Sequence, residues 1–338
     1  MRAIVIPRAG APDVLQLRES PDPTPGPGEV RIRVQASGVN FADIMARMGL
    51  YPDAPPMPCV VGYEVAGEID AVGEGVTEPA IGDHVLALVR FGGYSDVVVL
   101  PAEQTVAMPA GLGFEAAAAV PVNYLTAWVM LIHLGALQAT DTVLVHAAAG
   151  GVGQAALQIC KTRGARVIGT ASAGKHGRLR DLGVSECIDY HNEDFEVRIR
   201  ELTGGRGVDI VLDALGGSAL RKSYRCLAPL GRVFCFGASS LAPGTKRQLL
   251  PALRGLLSMP RFGAVELMSD NRGVLGVNMG HLWGEGPKLR SMLHEIVAQI
   301  SGGAFAPVVD RSFPFTEAAA AHAYIQAHKN FGKVVLKP

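Results

Sequence analysis

Apolar and polar residues alternate one by one through much of the first third of the chain. Arg31, Ile32, Arg33, Val34 and Gln35 follow this rhythm, residues 65–72 continue it, and residues 84–89 and 95–100 form short runs rich in valine and leucine. A period of two puts the apolar side chains on one face of a strand. Such runs, closely spaced and punctuated by Gly and Pro, predict a small barrel-like β domain, opened by a first strand within residues 1–7. The rhythm changes at Glu115, where residues 116–119 and 124–134 read as helices, and strands then alternate with helices to about residue 260. Strands are expected at 143–147, 166–170, 186–189, 208–213 and 231–236. This alternation marks a doubly wound parallel sheet. Beyond Arg272 come a strand-like stretch at 274–278, a helix over 286–300 and a last strand at 333–336. Assigning this tail to the first domain gives a β-rich domain of residues 1–122 and 266–338, with an α/β domain of residues 123–265 inserted into it.

The first strand of the inserted domain runs into a glycine turn, Val143-Leu-Val-His-Ala-Ala-Ala-Gly-Gly-Val-Gly-Gln154, and an alanine-rich helix follows. Gly150 and Gly153 take the second and third places of a G-x-G-x-x-G fingerprint, while Ala148 replaces the first. Missing side chains at those places allow close approach of a pyrophosphate and close helix packing. The amides of Gly151, Val152 and Gly153 at the helix start then face the anion. A dinucleotide cofactor is implied. Its type is read from the end of the next strand, where an NAD enzyme places Asp or Glu on the ribose 2′-hydroxyl. Here the residues are Gly169-Thr-Ala-Ser172. Without a carboxylate a 2′-phosphate is not repelled, and Ser172, Lys175 and Arg178 offer donors and positive charge, which favours NADPH.

Composition narrows the class further. Hydrophobic residues make up 49% of the 338, and 31 basic residues balance 31 acidic ones, so no global field favours nucleic acid. No run of about 18 uncharged apolar residues marks a membrane span, and residues 1–7 break too early for a signal peptide. The five cysteines, at 59, 160, 187, 226 and 235, lack paired spacing and read as buried thiols of a reducing, cytoplasmic compartment. Residues 246–261 combine leucines at 249, 250, 253, 256 and 257 with four basic residues. This invites a membrane-surface reading, but the spacing also suits a helix docked on its own domain, which is the expectation adopted.

Longer motifs span nearly the whole chain: Gly38-Val-Asn-Phe-Ala-Asp43, Gly49-Leu-Tyr-Pro52, Gly62-Tyr-Glu-Val-Ala-Gly67, Val72-Gly-Glu-Gly-Val76, Gly82-Asp-His-Val85, the turn at 146–153 and Phe331-Gly-Lys-Val-Val335. In these the chain resembles the zinc-free quinone oxidoreductase, or zeta-crystallin-like, family of the medium-chain dehydrogenase/reductase superfamily. Val122-Asn-Tyr-Leu-Thr-Ala127, Ile188-Asp-Tyr-His191 and Asp213-Ala-Leu-Gly-Gly217 are most similar to its synaptic-vesicle membrane-protein homologue branch. The resemblance implies an α/β protein with a GroES-like β-rich catalytic domain and a Rossmann domain, forming homodimers by edge pairing of the nucleotide-domain sheets near Val233 to Phe236. It also implies cofactor contacts at Thr126, Thr170, Tyr190, Gly216, Phe236, Gly237, Val274, Gly276 and Asn330, with Lys333 as a further candidate.

Zinc-using relatives supply cysteine where this chain has Asn40 and histidine where it has Tyr63. Neither replacement is a usual zinc ligand, so no metal is expected, and His84 and His146 read as hydrogen-bonded structural residues. Lacking a Lewis acid, the expected chemistry is hydride addition to a conjugated carbonyl or quinone, whose π system spreads the developing charge. Asn40 or Tyr51 would hydrogen-bond the acceptor oxygen, with Tyr51 also able to give a proton. Tyr63, Asn123 and Tyr124 would line the substrate pocket; the last two replace a Lys-Gly pair of some quinone reductases. Two other readings share these motifs: an NADPH-binding, lipid- or membrane-associated module with little turnover, and an enoyl-thioester reductase of a lipid or polyketide pathway. The cofactor argument gives a first prediction. Lys175→Ala should weaken NADPH binding roughly tenfold or more and leave NADH binding unchanged in fluorescence titrations; equal losses for both would remove Lys175 from the 2′-phosphate site.

Overall fold

A computed structural model describes residues 1–242, 244 and 249–338. The chain forms two compact units, Met1–Leu125 with Gly244–Arg247 and Met279–Pro338, and Thr126–Pro243 with Gln248–Asn278. Unit 1 begins with strands β1 (Arg2–Ile6), β2 (Gln16–Glu19), β3 (Glu29–Val39), β4 (Cys59–Val60), β5 (Glu64–Val72), β6 (His84–Leu88), β7 (Val97–Pro101) and β8 (Thr105–Ala107). Helix α1 (Phe41–Arg47) follows β3 directly, and α2 (Phe114–Ala117) and α3 (Pro121–Trp128) lead out of the unit. Alternation explains β3: Val30, Ile32 and Val34 are buried in an apolar cluster with Val65, Ile69, Val85 and Val98, while Arg31 and Arg33 turn outward to Asp70. One edge of β3 pairs with β5 along its length; β7 pairs with residues 29–33.

Unit 2 holds β9 (Thr142–Val145), α4 (Gly151–Arg163), β10 (Arg166–Ala171), α5 (His176–Asp181), β11 (Glu186–Asp189), α6 (Phe195–Leu202), β12 (Val208–Asp213), α7 (Gly217–Arg225), β13 (Leu227–Cys235), α8 (Leu249–Leu257), α9 (Ala264–Asp270) and β14 (Gly273–Gly276). Its six strands are all parallel, in the order β11-β10-β9-β12-β13-β14. The strand order reverses between β9 and β12, and ligands of such sheets bind outside the carboxyl ends of the strands at that point. Every residue of β12 is buried, as a strand covered on both faces requires. The chain then returns to unit 1 through α10 (Gly286–Ser301), β15 (Val309–Pro314), α11 (Ala318–Gln326) and β16 (Lys333–Lys337). There β16 pairs with the end of β3, Val334 opposite Val39.

Two expectations change, the assignment of residues 266–278 in full and the packing of the leucine-bearing helix in part. Strand β14 pairs with β13 through Val233 and Val274, so residues 266–278 go with the parallel sheet and not with the first domain. β14 forms the sheet edge and β13 lies one strand in, so residues 233–236 are close to that edge, as expected. The leucine-bearing helix α8 lies against α7 and the Ser239–Leu241 turn of its own unit, as expected, but it is packed only in part: Leu253, Leu256 and Leu257 are 52%, 59% and 76% exposed, while Lys246 and Arg247 lie outside the described residues. The stretch Phe114–His133 is long and apolar enough by composition to cross a membrane, but 78% of its most apolar window is buried inside the protein, which accounts for its apolarity.

A chain of buried polar groups fastens α1 to the rest of unit 1. Asp43 Oδ2 accepts from the Asn40 amide (2.8 Å) and the Tyr94 hydroxyl (3.2 Å), and Oδ1 accepts from the Gly62 amide (3.0 Å). With the Tyr94 proton given to Asp43, His322 Nε2 donates to Tyr94 (3.1 Å) and Arg47 Nη1 donates to His322 Nδ1 (3.2 Å). Burial pushes Asp43 up to about 7 from 3.8 and, with the Arg47 charge, pushes His322 down to about 3 from 6.5. The folded protein therefore keeps a proton on Asp43 that the unfolded chain has lost, so this group favours folding at acid pH and its contribution falls as pH rises to about 7. His322 acts oppositely: its contribution is full above about 6.5 and is lost as pH falls toward 3. Between about pH 4 and 6.5 the two slopes oppose one another. Relative to wild type, His322→Gln should lose stability as pH rises across this window and Asp43→Asn should gain it, measured as urea midpoints at fixed pH steps; parallel curves for all three proteins would contradict this.

Candidate active site

In unit 2 the glycine turn takes the form that its sequence requires. Gly150 precedes α4 in extended conformation and, having no side chain, caps none of the amides of Gly151, Val152 and Gly153. These first helical N–H groups have no partner within the helix. A Cβ at Gly153 would sit 2.5 Å from the Ala148 carbonyl oxygen and 2.6 Å from that of Ala147, so the helix starts against the turn with no room to spare. Ala148 fits at the first fingerprint place because Gly169 lies across from it: a Cβ there would come within 2.9 Å of the Ala148 methyl. One glycine of the fingerprint has in effect moved to the neighbouring strand.

Beneath the turn runs a buried hydrogen-bond chain. Asp213 Oδ1 accepts from the Leu215 and Gly216 amides, both at 2.8 Å, and Ser223 donates to its Oδ2 at 2.6 Å. With that proton committed, His146 Nε2 donates to Ser223 and its Nδ1 accepts from Thr170, each at 3.1 Å. His146 is neutral, its pKa lowered by burial. The chain ties together the ends of β9, β10 and β12, where several of the residues expected to contact a cofactor lie. Thr170 is one of these, but its hydroxyl is turned inward to His146 and the Ala147 amide and is not free for a cofactor. Gly216 and Gly237 bring two loops together, since a Cβ at Gly237 would lie 2.8 Å from the Ala214 carbonyl oxygen.

At the end of β10, Ser172 starts a 3-10 turn, Ala173–Lys175, and α5 carries Arg178. The nearest strand-end carboxylate, Asp189 on β11, is consumed locally by the Asn192 side chain (2.7 Å) and the His191 amide (3.2 Å), and these bonds hold its pKa down. Tyr190 is 43% exposed and its ring lies tilted against that of His191, centres 4.3 Å apart. Thr126, Phe236, Val274 and Gly276 also lie in unit 2, whereas Asn330 lies in unit 1 and donates to the Gly332 carbonyl (3.0 Å).

Unit 1 brings Asn40, Glu64, Asn123 and Lys333 together. Lys333 Nζ donates to Asn40 Oδ1 (2.6 Å) and Asn123 Oδ1 (3.5 Å) and forms an ion pair with Glu64 Oε1. Asn40 Nδ2 donates to Glu64 Oε1 (3.0 Å), and the Val122 amide to Oε2 (2.7 Å). Glu64 is fully buried and Lys333 nearly so. The Lys333 ammonium is thus engaged inside unit 1. Nothing in the sequence motif marked Glu64 apart from its being a charge in an apolar run.

A cavity of about 360 Å³ opens in the same unit, lined by Tyr51, Tyr63, Phe91 and Trp283 with Asp53, Arg90 and His281. Tyr63 meets Tyr51 edge-on, ring centres 6.3 Å apart, and Phe91 at 5.1 Å. Phe91 holds φ at +111°, a strained conformation for a bulky residue, and such strain collects at functional sites. The Tyr63 hydroxyl is buried without a partner at hydrogen-bonding geometry. Burial, helped by the Asp43 carboxylate and the Tyr51 hydroxyl, raises its pKa far above the usual range, so it remains a donor. His281 pairs with Asp53 at 2.9 Å. Of the expected pocket residues, Tyr63 lines this cavity. Asn123 belongs to the Lys333 cluster, and Tyr124 packs against Phe305 (5.5 Å) instead.

The donors around Asn40 do not fit zinc. Among the described residues no three of His, Cys, Asp and Glu converge, and Glu64 already faces the Lys333 ammonium.

With this geometry in view, the comparisons are specific. Residues 26–110 match the alcohol dehydrogenase GroES-like domain family and residues 182–336 the zinc-binding dehydrogenase family. The synaptic vesicle membrane protein VAT-1 homolog of Mus musculus is 43% identical over 341 residues, covering 100% of this chain and 84% of that protein. A quinone oxidoreductase of Pseudomonas aeruginosa is 38% identical and covers 97% of each chain. The solved structure of mycobacterial Rv1454c complexed with NADPH superposes with a TM-score of 0.87 at 34% identity, covering 100% of both chains. The chain belongs to the medium-chain dehydrogenase/reductase superfamily, with a GroES-like N-terminal domain and a Rossmann-like parallel sheet. Within it, the VAT-1 homologues and quinone oxidoreductases are its relatives, and it is an oxidoreductase.

The orphan hydroxyl gives a prediction. Tyr63→Phe removes a buried donor that has nothing to bond, so the folded protein should be as stable as wild type or about 1 kcal/mol more so by urea denaturation. A loss of more than that would mean that the hydroxyl has an internal partner.

Proposed function

We propose that the chain is an NADPH-dependent, zinc-independent reductase that transfers hydride to a quinone or an α,β-unsaturated carbonyl. The observation that carries this is the strand, turn and helix from Thr142 to Arg163, with three uncapped amides at its bend and a neighbouring strand that ends in Thr170 and Ala171, followed by Ser172, without a carboxylate. The turn amides hold the pyrophosphate, and Ser172, Lys175 and Tyr190 hold the 2′-phosphate. NADPH when bound supplies the hydride from its nicotinamide ring. The acceptor lies in the cavity of Tyr51, Tyr63, Phe91 and Trp283, whose aromatic faces suit a conjugated ring while Asp53, Arg90 and His281 make the rest of its lining polar. As hydride arrives at the acceptor carbon, negative charge grows on the conjugated oxygen. Asn40 or Tyr51 donates a hydrogen bond to that oxygen, and the balancing proton comes from Tyr51 or from water, giving the hydroquinone or the saturated carbonyl and NADP⁺. The 38% identity to a quinone oxidoreductase and the NADPH complex of a structural relative support the same reading. The protein acts as a cytoplasmic homodimer paired through the β14 edge of its parallel sheet.

The test follows oxidation of NADPH and NADH by the purified protein against a benzoquinone, a naphthoquinone, an enone and a saturated ketone, with metal analysis of the same sample. Turnover with NADPH and the conjugated acceptors, without stoichiometric zinc, is expected. Reduction of the saturated ketone, or one zinc per chain, would overturn the zinc-independent reading.

A further inference from the structure

We infer that Lys333 is a positioning residue for this reaction: with Glu64 it dictates which way the Asn40 side-chain amide faces, holding its oxygen inward and leaving one N–H for the acceptor. The inference rests on the reductase reading above and adds to it a residue that acts through another.

The argument is one of donors and acceptors. An ammonium has three N–H donors and no acceptor. Lys333 meets three oxygens, Asn40 Oδ1, Asn123 Oδ1 and Glu64 Oε1, so all its donors are committed. An ionised carboxylate only accepts. Glu64 takes the Asn40 Nδ2 proton on Oε1 and the Val122 amide on Oε2. An amide lying between a group that can only donate and one that can only accept has a single allowed orientation. Turned over, Asn40 would set its NH₂ against the ammonium and its oxygen against the carboxylate, two repulsive contacts among groups withdrawn from water. Asn123 is held the same way, its Nδ2 donating to the Ala119 carbonyl (3.0 Å).

Asn40 Nδ2 carries two protons, and only one has a partner among the described residues. Asn40 itself is half-buried, unlike Lys333 and Glu64, so the spare N–H belongs to a residue with an open side. Backbone pairing makes the lock rigid. Val334 of β16 lies opposite Val39 of β3, which puts Lys333 and Asn40 at the next antiparallel position, and the Lys333 amide is itself fixed to the Val308 carbonyl (2.8 Å). The ammonium on Oδ1 also draws charge from the amide and strengthens the N–H as a donor to an oxygen that is becoming negative. Without Lys333, Asn40 turns freely and presents its oxygen to the acceptor oxygen for part of the time.

The first readout needs no turnover. In the wild-type protein, the Asn40 side-chain NH₂ pair, identified by its disappearance in Asn40→Asp, should show one proton slow to exchange with solvent and one fast. Two protons exchanging at the rate of a free amide would overturn the lock. The second readout is Lys333→Met, close in size but uncharged. It should lower kcat toward conjugated acceptors roughly 10- to 100-fold, with NADPH affinity unchanged, and ethylammonium should restore part of the rate in Lys333→Ala. A folded Lys333→Met protein with wild-type kcat would overturn the proposal. Should that variant fail to fold, the charge-balanced Lys333→Met/Glu64→Gln pair replaces it: a low kcat supports the lock, and wild-type kcat overturns it. If the wild type itself reduces no acceptor, the reductase reading fails, while the exchange measurement still decides the orientation of Asn40.

Discussion

Glu64 and Lys333 are both removed from water, and the structure of unit 1 around them answers to that constraint. A buried ion pair repays its desolvation only when the remaining donors and acceptors are also met. Here they are met by residues from four segments: Asn40 at the end of β3, Val122 and Asn123 at α3, Glu64 at the start of β5 and Lys333 at the start of β16. The pair thus does more than cancel two charges. It requires these segments to arrive in one register, and a slip of one residue in β16 would carry the lysine to the wrong face.

A second polar core, Asp43 with Tyr94, His322 and Arg47, meets the first at Asn40, whose backbone amide is held by Asp43 while its side chain is held by Glu64 and Lys333. Asp43 also holds the Gly62 amide, immediately before Tyr63 and Glu64. One carboxylate therefore sets the path of two of the segments that carry candidate site residues. Unit 2 has a buried polar chain of its own, from Asp213 through Ser223 and His146 to Thr170, and it joins strand ends beneath the glycine turn.

Much of this was legible in the sequence, for identifiable reasons. Strands whose side chains alternate, such as β3, and strands buried on both faces, such as β12, announce themselves by pattern. The glycine turn is read from spacing because the steric demand at Gly153 is local. Other features depend on partners far along the chain. Arg47 and His322 are 275 residues apart, and nothing in either neighbourhood says that they will meet. The four-residue strand β14 has the same pattern whichever sheet it joins. The leucines of α8 have the spacing of a packed face, yet spacing alone does not tell whether protein or solvent lies opposite. The cavity residues Gly280, His281 and Trp283 come from short 3-10 turns without periodicity, and the strain at Phe91 has no signature in residue type.

The distance between Asn40 and Lys333, 293 residues, carries a consequence for biosynthesis. The sheet of unit 1 and the polar cluster within it stay incomplete until β16 has left the ribosome, because that strand supplies both the neighbour of β3 and the counter-charge for Glu64. Every strand of the parallel sheet precedes it in the chain. The nucleotide-binding unit is therefore free to fold first, during translation. The polar cluster of unit 1 assembles last, when β16 closes over a carboxylate that has been waiting for its cation.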